Sequence, residues 1–400
     1  MRPDVETLIL GGGCAGLSLG SRLADRVGER HRPARAVSDV GRVLILEERT
    51  DYSNDRTWCF WRFAPHRFEH LVSHAWAKMT IGARGRTIPV DCNLTPYQMI
   101  EALPFYNAAR EKILRSSNVE LALGTAVLGE PTQVANGWQV QTSGGVVSAS
   151  VVVDTRPPRS RHSSDATLWQ SFSGQEIIFD KPIFDPSVAG LMDFADPRAT
   201  DVMFHYVLPF TPQRALVETT IFGPKPVPIS GLVSSQENAV GRLAGGAPFQ
   251  VVRAESGVLP MGMTARLPSL GPGHSRAGLM SGAARPSTGY AFQRIQKWAD
   301  EAALAISNGA APSGHQDDPV LCKAMDRLFL RVMRGHPGRA PDLFMRMFGN
   351  TDPARVIRFL SDRGSLIDCA VIGATLPLPL FLGEMFKSMF DIPVRVPQPA

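Results

Sequence analysis

Three glycines, Gly11, Gly13 and Gly16, stand in the pattern G-x-G-x-x-G between the apolar run Val5–Leu10 and a small-residue stretch that ends near Arg26. This spacing suits a dinucleotide. Gly11 permits a tight turn, Gly13 lets the backbone approach a pyrophosphate with no Cβ in the way, and Gly16 lets a helix pack closely on a strand. The N-terminus of that helix offers aligned N–H groups and partial positive charge to phosphate. An acid closing the next strand would take the ribose hydroxyls; Glu47 stands there, with Glu48 as the alternative. The interval from Gly16 to Glu47 exceeds the usual ~20 residues, because residues 29–41 are polar, contain Pro33 and read as an inserted loop. The motif by itself does not separate FAD from NAD.

The elements that must position this motif form a strand, helix, strand opening: Val5–Leu10, a helix to about Arg26, and Arg42–Leu46. Thr95-Pro96-Tyr97-Gln98 predicts a helix start, with Thr95 as N-cap and Pro96 at the first helical position, running to about Ser116 with a kink at Pro104. Val119–Leu123, Trp138–Gln141 and Val146–Val153 predict a small β meander ending at Asp154-Thr155-Arg156-Pro157, where Asp154 and Arg156 either touch the dinucleotide or cap a loop. From about Leu168 to Phe222 the chain is strand-like, including Val202–Phe210, a turn over Thr211–Arg214, and a return strand Ala215–Phe222. A helix starts near Tyr290, a polar linker covers Gly309–Asp318, and helices follow to the end.

Composition sets bounds. Four hundred residues, 44% hydrophobic and 20% charged, describe a folded chain of two domains or one domain with a large insertion. The net charge of +5 is too slight and too dispersed for a nucleic-acid footprint, though mild affinity for anionic lipid stays open. Five scattered cysteines with no Cys-x-x-Cys pair indicate neither a disulfide framework nor a zinc knuckle and fit a reducing compartment. His66, His70 and His74 have helical spacing but no accompanying carboxylate or cysteine pattern, so no metal is expected. Thr7–Gly20 is glycine-rich and preceded by Asp4 and Glu6, unlike a signal peptide. Leu366–Gly383 is apolar but broken by Asp368, Pro377 and Pro379, which favours a monotopic dip or buried core over a transmembrane helix. Lys323–Arg363 carries nine Lys and Arg against four acids, interleaved with apolar residues: either a basic membrane-facing surface or a helix pair packed on the body.

Further segments resemble the lycopene cyclase family. Arg56-Thr57-Trp58-Cys59-Phe60-Trp61 resembles its Thr-Trp segment, and Trp169-Gln170-x-Phe172-x-Gly174-x-Glu176 with Leu191-Met192-Asp193-Phe194 its central signature. Val207-Leu208-Pro209-Phe210 and Leu216-Val217-Glu218-Thr219-Thr220 resemble the strand pair carrying the family's essential glutamate, which maps to Glu218. Glu255-x-Gly257-x-Leu259-Pro260 and Gly282-Ala283-Ala284-Arg285-Pro286-Ser287-Thr288-Gly289-Tyr290 resemble its late flavin-contacting segment, which implies cofactor contacts at Gly282, Pro286, Thr288 and Gly289. The chain departs at Thr219, where the family usually has a second acid, and at Arg285, where it usually has His.

The resemblance implies FAD, held reduced, with NADPH as the electron donor, and a long hydrophobic polyene, lycopene, as substrate. It implies an α/β fold with a discontinuous Rossmann-type FAD-binding domain (residues 1–74, 95–165 and 256–310), an inserted β-rich substrate domain (75–94 and 166–255) and a helical C-terminal part (311–400). It also implies a peripheral position on the cytoplasmic face of the inner membrane. Ring closure needs a proton delivered to a terminal double bond and another removed, with no net redox change. A Glu that donates at neutral pH needs an apolar pocket to raise its pKa. On the return strand Leu216, Glu218 and Thr220 share a face, with Val207 expected opposite Glu218. Glu255 is either a second carboxylate for the departing proton or the salt-bridge partner of Arg253. Two rivals remain: a flavin monooxygenase consuming NAD(P)H and oxygen, and a non-catalytic flavin-binding carotenoid carrier.

Overall fold

The computed structural model describes residues 3–28, 41–157, 166–196, 198, 200–263 and 266–390; most of the loop expected at 29–41 lies outside them. The first sheet is built on β1 (Val5–Leu10), followed by helix α1 (Cys14–Gly28) and β2 (Val43–Leu46). β1 lies between β2 and β11 (Gly145–Asp154), parallel to both. Runs such as Leu8-Ile9-Leu10 and Val151-Val152-Val153 suit a strand covered on both faces. β8 (Val119–Ala122) pairs parallel with β2 at the far edge, so the expected meander holds only β9 (Thr132–Val134), β10 (Gly137–Thr142) and β11. β17 (His274–Arg276) closes on the end of β11. One face is covered by α1, α2 (Ala102–Leu114) and α4 (Phe292–Ser307), which bury Leu17, Phe105 and Trp298.

A small sheet, β3 (Thr57–Trp61), β7 (Tyr97–Glu101) and β4 (Val72–Trp76), sits beside it. Here the expected helix start at Thr95 fails. Tyr97, Gln98, Met99 and Ile100 are all buried and pair with β3 and β4 on both sides, and that pairing overrides the local helix signal. The helix begins at Ala102 instead, its Leu103 N–H held by Asn54 Oδ1 at 3.2 Å. Pro104 then falls in the first turn, where its missing N–H breaks no helical bond and causes no kink. The three histidines share no helix either: His66 precedes a 3-10 turn at Glu69–Leu71 and His74 lies on β4.

The second sheet has seven strands in the order β16 (Phe249–Met263), β12 (Ala166–Phe179), β15 (Arg214–Gly223), β14 (Val202–Pro209), β13 (Val188–Phe194), β5 (Lys78–Ala83) and β6 (Arg86–Asp91). Helix α3 (Val233–Ala244) packs its Ala239 and Val240 on Ile177 and Val217 of one face. Against the sheet also pack α5 (Val320–Gly335), α6 (Ala340–Gly349) and α7 (Pro353–Leu360); Val332, Phe344 and Met347 share a core with Phe194 and Phe204. The apolar stripe of the basic region is thus turned onto the body of the protein. The pair α8 (Leu366–Thr375) and α9 (Leu378–Met389), bent by 110° at their junction, packs Ile372, Leu380 and Phe381 on this core and leaves Leu366, Leu378, Phe386 and Met389 exposed.

Candidate active site

Between the first two sheets lies a cavity of about 1090 Å³, larger than the ~300–1,000 Å³ that holds one small ligand. At one end are Gly11, Gly13 and the start of α1. Gly11 takes φ +96°, a Cβ on Gly16 would overlap the Gly11 carbonyl, and a Cβ on Gly13 would meet nothing within 4 Å because that side faces the cavity. Buried Glu47 accepts from Gly12 N–H at 2.7 Å and from Arg49 Nε at 2.9 Å. Burial alone would raise its pKa, but these hydrogen bonds and the Arg49 charge hold it below the usual range. Glu48 is exposed and also lines the cavity. Asp154 is buried and takes up Arg156 Nη2 at 2.8 Å and Arg276 Nη1 at 3.3 Å, so it orders two cations that line the cavity. Together with Arg49 they suit an anionic pyrophosphate; of the three, Arg156 was named from the sequence as touching the dinucleotide or capping a loop, and Arg49 and Arg276 were not foreseen.

The other expected cofactor residues divide. Thr288 and Gly289 line the main cavity, whereas Gly282 and Pro286 line a second one of about 360 Å³ with Arg266, Asp317 and Lys323. The late segment crosses from one cavity to the other, and among the described residues Leu279 alone borders both.

At the far end the second sheet sets one row of residues across four strands: Tyr206 opposite Glu218, Glu218 opposite Gly174, and Gly174 opposite Glu255. Tyr206, not Val207, faces Glu218, because Pro209 pairs with Ala215 across the turn and shifts the expected register by one. Gly174 leaves the space between the carboxylates open; a Cβ there would stand 3.2 Å from Glu255 Cγ and 3.5 Å from Glu218 Cβ. Leu216 and Leu208 line the same pocket, and Tyr97 Oη and Tyr290 Oη meet at 3.4 Å within it.

The two glutamates are held differently. Glu255 accepts from Thr57 Oγ1 at 2.7 Å and pairs with Arg253 Nη1 at 2.5 Å, while Arg253 Nε also meets Glu176 at 3.0 Å. Among the described residues no cation pairs with Glu218; its partner is the Thr220 hydroxyl at 2.9 Å. Burial first, and the Glu255 charge second, push the Glu218 carboxyl well above the usual Glu range. Burial also raises Glu255, against the lowering pull of Arg253 and Thr57. The cation decides between them: Glu255 keeps the charge and Glu218 the proton. The Arg253 partner was one of the two alternatives expected for Glu255, whereas the contact of Thr57 escaped the sequence reading because it reaches Glu255 from another sheet.

The chain matches the family model described as lycopene cyclase protein over residues 6–382. The chain belongs to the lycopene cyclase family. It is 24% identical over 406 residues to a lycopene beta-cyclase of Pseudescherichia vulneris, covering 96% of this chain and 97% of that protein. It is 28% identical over 247 residues to one of Paracoccus sp. (strain N81106 / MBIC 01143), covering 58% and 63%. Its fold is that of a flavin-dependent brominase (TM-score 0.60, 15% identity, covering 97% and 99%) and of p-nitrophenol 4-monooxygenase from Pseudomonas putida DLL-E4 (0.57, 15%, 99% and 100%). The α/β Rossmann-type reading agrees with both.

Within this lycopene cyclase family member, both departures from the usual pattern lie off the pocket. Thr219 is buried on the opposite face of β15, where its hydroxyl meets His205 Nδ1 at 3.0 Å. Arg285 is buried against Asp326 of α5 at 3.2 Å and the Phe359 carbonyl, tying the late segment to the C-terminal helices.

Proposed function

We propose that this protein is a lycopene beta-cyclase, which closes β-ionone rings on the ends of linear lycopene, giving gamma- and beta-carotene, with FAD bound in reduced form and NADPH as the electron donor. The observation that carries the reading is a buried Glu218 whose partner is the Thr220 hydroxyl, in an aromatic and apolar pocket, one glycine away from a Glu255 paired with Arg253. Its family membership and its similarity to two proteins named lycopene beta-cyclase support the substrate.

In this reading Glu218 gives its proton to the terminal double bond, the next double bond attacks the tertiary cation, and a neighbouring C–H proton leaves. Glu255 is the nearest charged base for that proton, and its negative charge, with the ring faces of Tyr206, Tyr97 and Tyr290, favours the cationic stages. Gly11, Gly13, Gly16, Glu47, Arg49 and the 288–289 turn would hold FAD. Bound in reduced form, FAD would supply negative charge beside the forming ring without net redox chemistry.

The test is expression in a lycopene-accumulating bacterium with chromatography and mass detection of the pigments. Unchanged mass with altered absorption supports cyclisation. A gain of oxygen marks a monooxygenase, and unaltered lycopene removes the reading.

A pH prediction follows from the two carboxyls. Activity is expected to hold below the raised pKa of Glu218 and to fall above it, as the acid ionises. Replacing Glu255 with Gln removes the like charge and frees Arg253, and both effects lower the Glu218 pKa. The alkaline limb of the pH–rate profile should move about one unit or more toward acid, each unit being about 1.4 kcal/mol. An unmoved limb would detach it from Glu218.

We also place this protein at the bilayer surface, with α8 and α9 as its contact. Among the described residues no single helix is long and apolar enough to cross a membrane. Leu366, Leu378, Phe386 and Met389 are 60–75% exposed on this bent pair, more apolar surface than a water-facing helix usually shows. Glu substitutions at Phe386 and Met389 should cut co-flotation with anionic vesicles at least fivefold while the isolated protein stays folded; unchanged flotation would remove these helices from the contact.

A further inference from the structure

The alternation along β12 that turns Phe172 to the cavity, and Gly174 to the glutamate pair, also turns Gln170 to that face. Its side chain is 8% exposed, and its Oε1 is fully enclosed and accepts no hydrogen bond among the described residues. The opposing backbone is Gly289, in a left-handed conformation at φ +73°; a Cβ there would stand 2.9 Å from Gln170 Oε1. A side chain at 289 would therefore crowd the carboxamide oxygen. Leaving a buried acceptor unpaired costs ~1–3 kcal/mol, and native proteins seldom do so without a partner in view. Other polar groups of this cavity are satisfied within the chain: Glu47 by Gly12 and Arg49, Asp154 by Arg156 and Arg276, Glu255 by Thr57 and Arg253.

The two occupants proposed for the cavity differ in what they offer Gln170. A polyene hydrocarbon has no hydrogen-bonding group. A dinucleotide carrying a nitrogen heterocycle has a ring edge of N–H donors next to carbonyl acceptors. Gln170 also stands four residues along β12 from Gly174, about 13 Å at strand spacing, with Phe172 between, so a polar ring at Gln170 leaves the carboxylate row to the hydrocarbon. We propose that the Gln170 carboxamide binds the heterocyclic edge of the cofactor, its oxygen accepting a ring N–H and its amide donating to the adjacent ring acceptor. This rests on the cofactor reading above, and it makes Gln170 a binding residue for the flavin ring that the glycine motif cannot reach.

The test titrates FAD into the purified apo protein and into Gln170→Leu and Gln170→Asn variants, following flavin fluorescence and the visible spectrum, with thermal melting of each apo protein. Gln170→Leu should weaken FAD at least tenfold, about 1.4 kcal/mol, and shift the visible bands. Its apo melting midpoint should hold or rise, because an unpaired buried polar group has been removed. Gln170→Asn, which retracts the carboxamide by one methylene, should fall between. Affinity and spectrum within twofold of wild type in the Leu variant overturn the proposal, as does a lowered melting midpoint with unchanged affinity, which marks a structural carboxamide. Failure of the wild-type chain to take up FAD sinks the cofactor reading itself, and is read separately from the variants.

Discussion

Replacing Glu218 with Gln is expected to abolish ring formation, lowering turnover at least about 10³-fold, in line with the ~10²–10⁴ that a positioned acid contributes. The reaction begins with a proton on carbon, and Glu218 has no rival as its donor among the described residues of the pocket: Glu255 is tied to Arg253, and the Tyr97 and Tyr206 hydroxyls, though neutral, are held by burial far above their ordinary pKa and are too weakly acidic. Gln matches Glu in volume and keeps a partner for Thr220, so the variant should fold and should still take up FAD. The sign of its stability change is fixed by the raised pKa. Glu218 favours the folded state while protonated, and that contribution fades as pH rises from the unfolded-state pKa through the folded one. The Gln variant should therefore match wild type in acid and exceed it in alkali, as thermal melts across pH would show. Full activity in the Gln variant would remove Glu218 as the acid.

The second large effect is expected at the glycine turn, where two neighbouring glycines should fail in opposite ways. An Ala at Gly13 meets no protein atom within 4 Å, so the apo fold should be unchanged. Its methyl would occupy the space through which a pyrophosphate approaches, and FAD affinity should fall at least 100-fold, about 2.7 kcal/mol. An Ala at Gly16 overlaps the Gly11 carbonyl and crowds Thr155 Oγ1 at 3.2 Å, so the turn itself must move. That variant should lose both FAD and several degrees of melting temperature. Comparing FAD titrations with apo melts separates the two; equal melting loss at both positions would show that Gly13 serves packing and not the ligand.

What could be read from residue order alone follows a physical line. The work of Gly11, Gly13 and Gly16 is local, each set by backbone conformation within a few residues, so the dinucleotide turn was legible. The hairpin carrying Glu218 was legible to within one residue, since alternation marks the strands but only the closing hydrogen bonds of the turn set the register. Tyr97–Glu101 misled because Thr95 and Pro96 compose a sound local helix start, while the deciding interactions come from β3 and β4. The grip of Thr57 on Glu255 and the approach of Gly289 to Gln170 join residues far apart in the chain, and no periodicity encodes such meetings. Gly282 and Pro286 were expected to contact the cofactor together with Thr288 and Gly289, yet the chain turns there and puts them in the smaller cavity.

The pairing of β5 with β13 carries a cost in time. Lys78 has Val188 as its partner, so the β5–β6 hairpin leaves the ribosome long before the strand that shields its edge. At ordinary synthesis rates of ~5–20 residues per second, that edge waits roughly 5–20 s. Met79, Ile81 and Val90, wholly buried in the finished protein, are uncovered meanwhile on a hairpin whose β5 backbone groups stand ready for any other chain. Yield in the cell should therefore depend on growth temperature and on chaperone supply more steeply than the melting point of the finished protein suggests, and substitutions in β13 should appear first as inclusion bodies.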